Sequence, residues 1–103
     1  MVALTPSLAE QLFTEQGWDI IIPDIYTSID NNAFADYGLY SVFIPDSVNT
    51  IGERAFQYNY LTNVVIPDGV EIVGNYAFQY NDITSIDIGN SVTVIGNDAF
   101  AHN

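Results

Sequence analysis

The sequence contains no cysteine and no lysine, and Arg54 is its single strongly basic residue. Without thiols, neither disulfides nor thiolate-bound metals can hold the fold, and the redox compartment leaves no mark. Thirteen acidic residues against that one arginine give a formal net charge of −12 at pH 7. A surface so charged repels phosphate backbones and anionic bilayers, which argues against nucleic-acid and membrane partners. No apolar run approaches the roughly 18 residues of a membrane span. Residues 1–19 lack the basic start and apolar stretch of a secretory leader. That predicts either a cytoplasmic chain or a piece of something longer, and composition alone assigns no location. A single histidine, His102, leaves little for nucleophilic catalysis.

What the chain does have is repetition. Ile22, Ile44, Ile66 and Ile88 stand 22 residues apart, and Ala33-Phe34, Ala55-Phe56, Ala77-Phe78 and Ala99-Phe100 keep the same step. A fixed period of this length predicts a solenoid, in which each unit buries its apolar face only by stacking on its neighbours. With 103 residues, 49% of them apolar, the chain is expected to form one small folded domain.

Within each unit, Leu39-x-x-Val42-x-Ile44, Leu61-x-x-Val64-x-Ile66 and Ile83-x-x-Ile86-x-Ile88 match the LxxLxL pattern of leucine-rich repeats. The period-2 alternation places Val42/Ile44, Val64/Ile66 and Ile86/Ile88 inward from short strands. Stacking predicts residues 42–44, 64–66 and 86–88 as neighbouring parallel strands of one sheet. Trp18–Ile22 is the first, less regular strand; with Gly17 in the leucine slot, Trp18 is free to turn inward. Pro23-Asp24, Pro45-Asp46, Pro67-Asp68 and Gly89-Asn90 read as turns. Apolar pairs follow at Tyr26/Ile29, Val48/Ile51, Val70/Val73 and Val92/Ile95. Next, Asp30, Gly52, Gly74 and Gly96 occupy one slot. Asp and Gly share N-cap preference, which predicts a short helical turn burying Ala and Phe. Four stacked phenylalanines, Phe34, Phe56, Phe78 and Phe100, are expected along that side. Ahead of the array, Thr5-Pro6 signals a helix start, and Leu4, Leu8, Leu12 and Phe13 share a helical face that ends at Gly17. The expected organisation is a capping helix over residues 1–19 and a four-coil solenoid over 20–103.

The strings IPDSVNTIGERAFQYN and IPDGVEIVGNYAFQYN resemble BspA-like leucine-rich repeats. The resemblance implies an α/β repeat fold: a right-handed solenoid with a concave parallel sheet and convex short helical turns. It also implies surface adhesion and protein–protein recognition, often in secreted proteins; no cofactor is expected.

Between the inward residues lie exposed rows: Tyr40, Thr62 and Thr84; Ser41, Asn63 and Ser85; and Ile21, Phe43, Val65 and Asp87. Apolar residues where a solvated sheet is usually polar mark a contact surface. The candidate binding residues are therefore Trp18, Ile21, Tyr40, Phe43, Asn63, Val65 and Asp87. Two other rows compete. Tyr58, Tyr60 and Tyr80, with Tyr37 nearby, lie beside Asn59, Asn81 and Asn103, and read as cover for the coil with asparagines bonding loop backbone. Asp24, Asp46, Asp68 and Asn90 could supply oxygens to calcium, giving an alternative calcium-dependent or glycan-binding surface protein, but each more simply closes its own turn. No metal site is assigned. Arg54 lies on the convex turns, away from the sheet, where it could not serve a lyase-like reaction. The expected function is a non-catalytic scaffold that binds a protein partner or itself. Self-association, as a two-fold dimer, is expected through the apolar edge of Ile86, Ile88, Val92, Ile95 and Phe100.

Overall fold

The computed structural model describes residues 2–103. In chain order it has β1 (Ala3–Leu4), α1 (Pro6–Gln16), β2 (Asp19–Ile21), β3 (Ser28–Ile29), β4 (Ser41–Phe43), β5 (Thr50–Ile51), β6 (Asn63–Ile66), β7 (Ile72–Val73), β8 (Ser85–Ile88) and β9 (Val94–Ile95). Helix α1 starts where Thr5 Oγ1 accepts the Leu8 N–H at 3.2 Å and Pro6 supplies a preset φ. It stops at Gly17, whose φ of 75° turns the chain away while its N–H bonds the Phe13 carbonyl at 2.8 Å. Ala9 and Leu12 are buried beneath it. Leu4 does not belong to this helical stripe: it is buried in β1, paired with β3, because Thr5 caps the helix after it. At the other end, the Gln16 amide accepts the Ile21 N–H at 2.7 Å and donates to the Ile21 carbonyl at 3.0 Å. A side-chain amide thus occupies the edge of β2 as a neighbouring strand would.

From β2 onward each coil has two strand walls. The longer strands pair in parallel with a 22-residue register, Ile20 with Val42 and Val64 with Ile86. The single continuous sheet expected here is interrupted: β2 pairs β4 and β6 pairs β8, but no ladder joins β4 to β6. The coils are held in step by the other wall and by buried side-chain rows, so this seam need not close for the stack to hold. That other wall is a five-stranded parallel sheet, β1-β3-β5-β7-β9. It escaped the sequence reading because each two-residue strand has one inward position (Ile29, Ile51, Val73), too few to register as alternation.

Between the walls, Phe34, Phe56 and Phe78 are fully buried. Their rings stack nearly parallel at 5.5 and 5.1 Å, and Phe100 follows at 5.4 Å. The segments carrying them are turns, not the short helices anticipated. Asn32, Arg54, Tyr76 and Asp98 have φ between 53° and 62°, as do Asp36, Tyr58, Tyr80 and His102 at 59–60°. Alternating left-handed residues aim the N–H groups of Arg54, Phe56 and Tyr58 at Asn75, Ala77 and Gln79 of the next coil, at 2.8–3.0 Å. A helix would have turned those donors back into its own chain.

The recurrent glycine is explained by close approach. Gly52 and Gly74 have no positive φ. A Cβ on Gly52 would lie 2.6 Å from the Asn31 nitrogen, and one on Gly74 2.7 Å from the Glu53 nitrogen. Asp30 holds the same slot in the first coil because the chain preceding it has left for α1, so no earlier turn lies against it; its expected capping role is not seen. Gly74→Ala is therefore expected to destabilise by about 1–3 kcal/mol through overpacking. Chemical denaturation would check it, and an unchanged midpoint would refute the close-contact account.

Candidate functional site

The surface in question lies on the outside of the longer strands, over the seam. Inward residues Ile20, Val64 and Ile66 are buried, so the alternate side chains must face out. Ile21, Phe43 and Val65 are 64, 58 and 58% exposed, far more than large apolar side chains usually are in an unoccupied sheet. An open groove of about 500 Å³ runs here. Phe43 and Val65 form its apolar side, Asn63 and Asp87 continue it along the strands, and Asp46, Asp68 and Asn90 close it at the strand ends. Ser41 Oγ donates to Asp19 Oδ1 at 2.8 Å and Ser85 Oγ to Asn63, so the polar row is cross-linked from coil to coil. The Asn90 N–H donates to Asp68 Oδ1 at 3.0 Å.

Four of the seven residues singled out from sequence, Phe43, Asn63, Val65 and Asp87, line this one groove, and Ile21 extends its apolar row by one strand. Tyr40 does not join them. It lines a shallower depression with Tyr60, Thr62 and Asp82, its ring 6.0 Å from that of Tyr60. Nor does Trp18 turn inward: it is 55% exposed and sits edge-on to Phe13 at 6.3 Å. The left-handed Gly17 swings it out, and Ile20 fills the interior instead. Asp46, Asp68 and Asn90 were missed as partners of the apolar row. The signal was present in a constant offset: 43/46, 65/68 and 87/90 are each three residues apart.

The competing rows resolve differently. Asn59 and Asn81 are buried and fully bonded. Asn81 Oδ1 accepts the Leu61 N–H at 3.1 Å, and its Nδ2 donates to the Phe56 and Phe78 carbonyls at 3.0 Å each. Asn59 repeats the arrangement on Leu39, Phe34 and Phe56, and Asn103 on Ile83, Phe78 and Phe100. These asparagines are structural. Outside them Tyr58, Tyr80 and His102 stack flat at 4.7 and 4.4 Å. Tyr37 is half-buried against Phe13 and Phe34; burial, helped by the Glu10 carboxylate, pushes its phenol above the ordinary 10.0. Among the described residues no group of three or more His, Cys, Asp or Glu could hold a metal ion. Arg54 is occupied away from the groove: its Nη1 lies 2.6 Å from Glu53 Oε2, and its guanidinium rests over Tyr76 at 4.7 Å. No helix among the described residues is long and apolar enough to cross a membrane.

Parallel strands stepping at a fixed interval, with buried side chains stacked in register, define a leucine-rich repeat protein, a class whose usual business is presenting a surface to other proteins. Residues 7–103 match the family described as BspA type leucine rich repeat region (6 copies), and the chain belongs to that family. No curated protein matches the chain. Among solved structures, the pneumococcal vaccine antigen PcpA is similar over 82% of the chain, with a TM-score of 0.73 and 22% identity. A leucine-rich repeat protein from Bacteroides ovatus is similar over the same share, with a TM-score of 0.53 and 18% identity. The chain spans only 22% and 34% of those two proteins' lengths.

Proposed function

We propose that the chain is a non-catalytic recognition module that binds a protein partner through the groove over β4, β6 and β8. The observation that carries this reading is the row Ile21, Phe43 and Val65, three large apolar side chains more than half exposed on successive coils. Folding does not require them outside, and a contact surface does. Helix α1, with Gln16 on the β2 edge, acts as the cap of the array on this reading. A secreted or cell-surface setting is the one that suits a recognition role and the family. The test is site-specific photo-cross-linking, with the reactive group placed at 43 or 65 and, as control, at 76 on the turn wall. Protein cross-links are expected to concentrate at 43 and 65, whereas equal labelling at 76 would overturn the assignment.

A second reading is self-association at the edge of β8. Ile88 of β8 and Val94 and Ile95 of β9, on the same last coil, are 46, 50 and 47% exposed, and among the described residues the outer edge of β8 is paired to no strand. Sedimentation across a salt series separates it from the first. A two-fold dimer that tightens with salt supports it, and a monomer at every salt excludes it.

A further inference from the structure

We propose that the groove takes a cationic, apolar-anchored polypeptide segment in extended conformation; this rests on the reading of the groove as a contact surface and names its occupant. Three independent features converge there. The first is charge. Asp46, Asp68 and Asp87 line the groove alongside Phe43 and Val65. The chain carries −12 and has one arginine, already held by Glu53 on another wall. Among the described residues no cation faces the groove carboxylates, so a partner is the source that suits them. A second copy is excluded as occupant by the same arithmetic, since it would set like charge on like charge without a lysine to offer.

The second feature is the mixture of surfaces. A simple polycation would be served by acidic residues alone, yet half-exposed Phe43 and Val65 lie among them. Apolar residues interspersed with lysine or arginine satisfy both surfaces, the alkyl stems of the basic residues adding to apolar cover. The third feature is the seam. The edges of β4 and β6 that face each other belong to no ladder, and the groove is lined by residues of both. Because β4 and β6 are already neighbours, no strand enters between them; the outer face over the seam is instead an open track of side chains from Phe43 through Asn63 and Val65 to Asp87, which suits a segment lying extended across it better than a compact helix.

The test uses fluorescently labelled decapeptides in which leucines alternate with lysines, with matched versions carrying glutamine or glutamate in place of lysine. Saturable binding of the lysine peptide is expected, at least about tenfold tighter than the glutamine peptide and weakening as salt is raised. The glutamate peptide is expected not to bind. The double variant Asp68→Asn, Asp87→Asn should weaken the lysine peptide about tenfold while leaving the melting temperature within a few degrees. The amide that replaces the Asp68 carboxylate keeps an oxygen for the Asn90 N–H, so folding is not at stake. Equal affinity for lysine and glutamine peptides, with both lost in Phe43→Ser, would overturn the charge assignment and leave the groove as a contact surface. No saturable binding of the lysine peptide, or no effect of the double variant, overturns the proposal, while the cross-linking result judges the groove by itself.

Discussion

Phe78→Ala is expected to cost about 3–5 kcal/mol of stability, and Phe43→Ala under about 1 kcal/mol. The two side chains are the same, and only their place differs. Phe78 is 0% exposed, stacked on Phe56 at 5.1 Å and Phe100 at 5.4 Å, so truncation opens a void bounded by rings that cannot close on it. Phe43 is 58% exposed and loses little contact. Urea midpoints of the two variants decide the matter. Comparable losses would mean that the outward row is part of the core, which would also remove the main support for a recognition surface. The contrast matters for function: a side chain of no value to folding is retained for something else or for nothing.

Asn81→Ala is expected to cost about 3 kcal/mol or more, although it removes a polar residue from the interior. Its amide satisfies the Leu61 N–H and the Phe56 and Phe78 carbonyls at once. Alanine strands those three main-chain groups, each worth about 1–3 kcal/mol if it stays dry, less where water enters the gap. Asn81→Asp should be at least as damaging, because a carboxylate offers no donor to two carbonyls and buries a charge. The exposed Asn63 provides the comparison, with a loss for Asn63→Ala expected within about 0.5 kcal/mol. Thermal unfolding of the three variants suffices. A small effect at Asn81 would show that water replaces the amide and that the ladder is not a fastening.

How much of this could be read from the chain alone follows from how many residues carry each signal. The stack itself was legible because Ile, Ala-Phe and Asn each recur on one unbroken step, and a long-range period needs no knowledge of local geometry. Helix α1 was legible from Thr5-Pro6 and Gly17, where capping chemistry is local. The five-stranded wall was not, since a two-residue strand has no pattern of its own. The turn wall misled for another reason. Asn32, Asp36 and Asp98 tolerate left-handed backbone and hinted at it, but Arg54, Tyr58, Tyr76 and Tyr80 in the same slots do not prefer it. Hydrogen bonds from the neighbouring coil impose that conformation, and no window along the chain contains them. The groove was half legible: its apolar row stood out as a break in polar alternation, whereas its acidic wall belonged to a turn and was judged there.

The joints between coils share three fastenings: a glycine laid against the turn before it, an asparagine holding two carbonyls, an alanine-phenylalanine pair filling the corner. The outward apolar side chains Ile21, Phe43 and Val65 take no part in those joints. If the outer row is the recognition surface proposed above, stability and recognition are inherited separately. A genetic exchange that moves whole 22-residue blocks, or repeats one, keeps those three fastenings while rewriting the order of Phe43, Val65 and Asp87 along the axis. Such a molecule can diversify what it meets by shuffling its own parts, without first having to find a new way to fold.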